Sequence, residues 1–143
     1  MTERKAARQA LATLLESALT GTGKAAQAVY GYLVGDFAGQ SPVVVVASSG
    51  TARPQMSKRA SSARYYVDVY VFVLYSDQGS WSEEDTEDML DDLEADVAAV
   101  VAANRNTSNW AFIEQAERSR TDAVLVGGLE YRRETIPLVM EVY

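Results

Sequence analysis

The chain has 143 residues, 48% of them hydrophobic and 23% charged, with a net charge of −7 and neither cysteine nor histidine. That length fits one domain with a core able to stand without disulfides or metals, and the balance argues against disorder. Without cysteine there is no disulfide framework, thiolate metal site or cysteine nucleophile; without histidine, Ser-His-Asp chemistry and most zinc hydrolase mechanisms fall away. Carboxylate-only or lysine chemistry survives that filter. Met1 to Arg8 is not followed by an apolar run of the signal-peptide kind, and no run approaches the roughly 20 residues that span a bilayer. The expectation is a soluble protein made in the cytoplasm.

Taken in chain order, Thr2 to Leu19 reads as a helix, with Ala7, Leu11, Leu14, Leu15 and Ala18 on one stripe, Thr2 as its cap, and Gly21 and Gly23 as its stop. Thr20-Gly21-Thr22-Gly23-Lys24 lacks the spacing of a phosphate loop and has Ala25 where a magnesium-holding Ser or Thr belongs, so a helix end is the better reading. Lys24 to Val34 is ambiguous: its alanines favour helix and its glycines weaken it. Ser41 to Ser48 is a strand whose Val43, Val44, Val45 and Val46 predict burial on both faces.

Ser48 to Ala63 has no apolar period and reads as a long exposed loop, either solvated or a protein contact, carrying Arg53, Lys58 and Arg59 with Arg64 just after it. Ser48, Ser49 and Gly50 are no nucleophile elbow, because no histidine can serve as base. Arg64 to Tyr75 is the clearest strand. Its odd positions, Tyr65 to Tyr75, line one face. The other face carries Tyr66, Asp68, Tyr70, Phe72 and Leu74, more apolar than a water-covered face should be. Either a partner or a second intramolecular layer covers it.

Trp81 to Ala103 is the clearest helix. Ser82 and Asp85 form a variant capping box, seven acidic residues crowd Glu83 to Asp92, and Met89, Leu90, Leu93, Val97, Val100 and Val101 make the core stripe. The acidic run lacks the alternation and glycine of a calcium loop, so no metal site is expected and a solvated or partner-facing surface is. Asn106-Thr107-Ser108 matches a glycosylation sequon, without meaning in a chain read as non-secreted. Asn104 to Asn109 is a turn, Trp110 to Glu117 a strand, Gly127-Gly128 a turn, and Leu129 to Tyr143 a final strand with Ile136, Leu138, Met140 and Val142 on one face. Pro137 places that strand at an edge or beside a bulge. The expected fold is α+β: one domain over 1–143, with an antiparallel, possibly mixed, sheet of about four strands and two or three helices packed on one face.

Charge is divided along the chain. Residues 1–64 carry eight Lys/Arg against three Asp/Glu, a net of +5; residues 65–143 carry five against seventeen, a net of −12. An acidic chain is a poor generic nucleic-acid binder. A positive half and a negative half suit head-to-tail contacts between copies. The interface candidates are Arg53, Lys58, Arg59 and Arg64; Tyr66, Tyr70 and Phe72; and Glu83, Glu84, Glu87, Asp88, Asp91 and Asp92.

The order of elements resembles the tail-terminator family of long-tailed bacteriophages. A short apolar strand, Pro42 to Ala47, precedes a long aromatic and valine-rich strand, Arg64 to Leu74. A helix opening with Ser82 and acids follows. Glu130-Tyr131-Arg132-Arg133 then leads into the closing Ile136 to Tyr143. The resemblance implies a non-enzymatic virion protein of the tail or neck without cofactors: a hexameric ring on the tail tube. Such a ring would end tube polymerisation and join a head-side connector, with DNA passing through it without sequence-specific binding. Another head–tail connector or tail-completion protein is the near alternative. A ferredoxin-like small-ligand or regulatory domain and a carboxylate-based enzyme stand further off.

Overall fold

A computed structural model describes residues 1–54, 62–75 and 82–143. In chain order the elements are α1 (Arg4–Leu19), β1 (Ala28–Tyr30), β2 (Val43–Ala52), β3 (Ala63–Leu74), α2 (Glu83–Ala103), β4 (Phe112–Gln115), β5 (Arg120–Val126) and β6 (Leu129–Val142). The fold is α+β, but the sheet has six strands rather than about four, in the order β1-β2-β3-β6-β4 with β5 also on β6. It is mixed: β1 runs parallel to β2, and the other pairs are antiparallel. The ambiguous stretch after α1 is no second helix; it is irregular apart from the three residues of β1.

Two helices pack on one face of the sheet. Ala7, Leu11, Leu15 and Leu19 of α1 and Leu90, Leu93 and Val97 of α2 meet Val44, Val46, Val67, Val69, Ile136, Leu138 and Met140 in one core. Met89, expected in the α2 stripe, is instead 37% exposed. The valine run of β2 is buried on both faces, as its composition predicts: Val44 and Val46 face the helices, Val43 and Val45 the other side. The start of α1 departs from expectation. Glu3, not Thr2, is the N-cap, and no side chain caps it. The predicted 48–63 loop is shortened from both ends, since β2 continues to Ala52 and β3 begins at Ala63. Residues 55–61, with Lys58 and Arg59, and Trp81 lie outside the described residues.

β6 is not an edge strand. β3 pairs along nearly its whole length, while β4 and β5 pair end to end on its other side. Pro137 is accommodated at the break between them. Its carbonyl accepts from the Ala116 amide at 2.9 Å. In an extended strand the N and O of one residue point the same way, so the missing amide faces the 116–119 connection and no ladder bond is lost. Gly127 and Gly128, at φ +58° and +81°, form a two-residue turn between β5 and β6 with both central residues left-handed, which glycine adopts without strain.

Candidate functional site

The face of β3 away from the helices divides into two halves. In one, Phe72 is 5% exposed, with Phe37 against it at 4.8 Å and Tyr131 at 6.2 Å. Phe37 lies on the irregular segment between β1 and β2, which covers this half from within the chain. Of the two covers the sequence leaves open, a second intramolecular layer is the one over Phe72, which is therefore not available as an interface residue. Gln40 of the same segment takes hydrogen bonds from the Tyr30 hydroxyl (2.6 Å, to its side chain) and the Tyr131 hydroxyl (3.0 Å, to its carbonyl). Gly127 of the hairpin turn lies so close to Asp36 that a Cβ would meet its carboxylate at 2.3 Å. Tyr70 is half-buried, with the Arg133 guanidinium 5.4 Å from its ring centroid, and burial together with the Asp68 charge raises its phenol pKa. In the other half Tyr66 stays half-buried, flanked by Phe112, Val139 and Ala116 around a shallow cavity of 230 Å³. Arg64 is on this face and meets Glu141 at 3.4 Å.

A basic concavity of 850 Å³ opens at the far end of the helix layer, around the start of α1. Arg4 donates to the Thr51 hydroxyl at 3.0 Å and Arg8 to the Ser48 hydroxyl at 3.4 Å. Arg53 stands 5.8 Å over the Tyr65 ring, whose hydroxyl donates to the Thr2 carbonyl at 2.8 Å. Lys5, Met1 and one carboxylate, Glu3, also line it, so four cations stand against one acid. Of these cations only Arg53 stood out in the sequence, as part of a loop. The fold separates it from Arg64, since successive side chains of a strand face opposite ways and Arg53 sits over Tyr65. Arg4, Lys5 and Arg8 join it because α1 lies along β2.

The acidic residues gather at the opposite end. Ser82 and Asp85 complete the expected capping box, with the Asp85 amide donating to Ser82 Oγ at 3.2 Å and the Ser82 amide to Asp85 Oδ2 at 2.8 Å. The fully buried Thr86 hydroxyl donates to the Leu74 and Tyr75 carbonyls, tying the helix start to the end of β3. Glu83, Glu84, Glu87, Asp88, Asp91 and Asp92 are all exposed. Glu87 pairs with Arg132 of β6. Beneath the helix Glu134 is buried and accepts from the Ser119 hydroxyl at 3.0 Å; burial, then the charges of Glu94, Asp91 and Glu87, push its carboxyl pKa up. Tyr32, Leu33, Leu125 and Leu129 are exposed apolar side chains on the segment and hairpin that join at Gly127.

Among the described residues, no group of three or more acidic side chains could hold a metal ion, and no helix is long and apolar enough to cross a membrane. A 170 Å³ cavity between α2 and the sheet is lined chiefly by Val97, Val101, Ile113, Ile136 and Leu138. It is smaller than the few hundred Å³ typical of small-molecule sites. What the surface offers is charge of opposite sign at two ends of a sheet. No protein-family model matches the chain, and no curated protein matches it in sequence.

Proposed function

We propose that this chain is a structural subunit of a long-tailed bacteriophage, forming a ring on the end of the tail tube that ends tube polymerisation and receives the head-side connector. The observation that carries this reading is the arrangement of the elements behind the resemblance. Strand β2, which opens with the valine run, the long strand β3 and the closing strand β6 lie side by side in the sheet, and the acid-opened helix α2 packs across β3 and β6. The exposed Leu125 and Leu129 on the β5–β6 hairpin support a role in assembly, since neighbouring exposed apolar side chains suit contact with another protein.

The test is localisation and loss in the phage that encodes the chain. Antibody-gold labelling of intact virions should mark the head-proximal end of the tail, and deleting the gene should yield headless tails of uncontrolled length. Label on the head vertex, with normal tails lacking heads, would assign the chain to the connector instead. Absence from virions, with normal tails after deletion, would overturn the reading.

A further inference from the structure

The two charged ends sit on the same side of the sheet at opposite ends of its strands. The basic concavity lies beside Thr51 and Tyr65, which pair with one another in the β2–β3 ladder. The acidic helix start is bonded to Leu74 and Tyr75. β3 has twelve residues, and at about 3.3 Å per residue its ends are roughly 36 Å apart. Screening in physiological salt acts over about 8 Å, so the ends of one protomer cannot neutralise each other. Neither is fully neutralised within the protomer, although Glu87 pairs with Arg132 and Glu3 stands among the cations. Among the described residues Arg4, Lys5, Arg8 and Arg53 make no ion pair, nor do Glu83, Glu84 and Asp88. Arg8 Nε is buried without a hydrogen-bond partner.

We infer that the occupant of the basic concavity is the acidic start of α2 from a second copy of this chain, so that protomers join head to tail through Arg4, Lys5, Arg8 and Arg53 on one and Glu83, Glu84 and Asp88 on the next. The inference rests on the reading of the chain as a ring subunit and names the contact. Two different patches meet, which makes the interface heterologous; such contacts close into a ring or extend as a filament. The capping box and Thr86 fix the first turn of α2 to the sheet, so its carboxylates are presented on a rigid support. Like-charged ends repel, which rejects head-to-head and tail-to-tail encounters.

The test uses the full chain and three charge-reversed forms. One carries Arg4→Glu, Lys5→Glu and Arg8→Glu; the second carries Glu83→Lys, Glu84→Lys and Asp88→Lys; the third carries all six. Sedimentation velocity reads assembly and circular dichroism reads folding. The parent is expected to self-associate, more weakly as salt rises. Each single-end form should stay folded and lose association by about tenfold or more. The six-fold form, and an equimolar mixture of the two single-end forms, should regain association, because every contact again joins opposite charges. Undiminished association of either single-end form would overturn the contact while leaving the ring reading standing. A monomeric parent, or failure of both the mixture and the six-fold form to recover, would also overturn it; virion labelling tests the ring reading separately. Duplex DNA held by the parent and lost with Arg4→Glu, Lys5→Glu and Arg8→Glu, with association unchanged, would assign the concavity to phosphate and overturn it too.

Discussion

Replacing Phe37 with alanine removes the side chain that closes the second face of the sheet. Phe37 is 2% exposed, meets Phe72 at 4.8 Å and Tyr131 at 5.5 Å, and stacks on Tyr30 at 6.2 Å. Losing a buried phenylalanine costs about 3–5 kcal/mol, and aromatic pairs in edge contact add about 0.5–1.5 kcal/mol each. The segment carrying Phe37 is irregular and can partly collapse into the space, which favours the lower end, about 3 kcal/mol. Against a domain stability of about 5–15 kcal/mol this is a large loss, worth roughly 10 °C in Tm at this chain length. Urea unfolding followed by circular dichroism measures it. Leu33→Ala, four residues away at a position 68% exposed, is the control and should change stability by less than about 0.5 kcal/mol. A Phe37→Ala loss below about 1 kcal/mol, or an equal loss in the control, would refute the assignment of this segment as the cover.

Thr86→Val removes the hydroxyl that bridges α2 to the Leu74 and Tyr75 carbonyls and should destabilise by about 1–3 kcal/mol in the same urea assay, with no change in volume to share the blame. Ser82→Ala takes away one half of the capping box; about 1 kcal/mol should be lost, and hydrogen exchange should speed first in the opening turn of α2. Glu134 behaves in the opposite sense. Because burial raises its folded carboxyl pKa, its ionised form opposes folding above that pKa, and the opposition fades as pH falls through it. Glu134→Gln keeps an acceptor for Ser119 and should raise the Tm at pH 7–8. The gain should shrink to nothing below about pH 4, where the carboxyl is protonated in both folded and unfolded states; a gain independent of pH would contradict the linkage.

What the sequence by itself determined is the part written in local periodicity and local chemistry. The alternation of Tyr65 to Val73, the valine run at 43–46, the Ser82–Asp85 box, the Leu90-Leu93-Val97 stripe and the Gly127-Gly128 turn all form as read, because each depends on neighbours within a few residues. β5 escaped that reading because its residues are mostly exposed and carry no burial alternation; pairing with β6 defines it. β1 escaped because three residues become a strand only through the parallel partner beginning at Val43. Pro137 shows the same limit: the residue forbids an amide bond on one side, but only the break between β4 and β5 shows how an interior strand tolerates it. The surfaces depended most on tertiary structure. The split of charge between the two halves of the chain was legible from the start. That Arg53 would join Arg4 and Arg8, while Arg64 turned to the opposite face, was not. The first is fixed by α1 packing along β2, and the second by the alternation of a strand whose facing direction is set only when its core is buried.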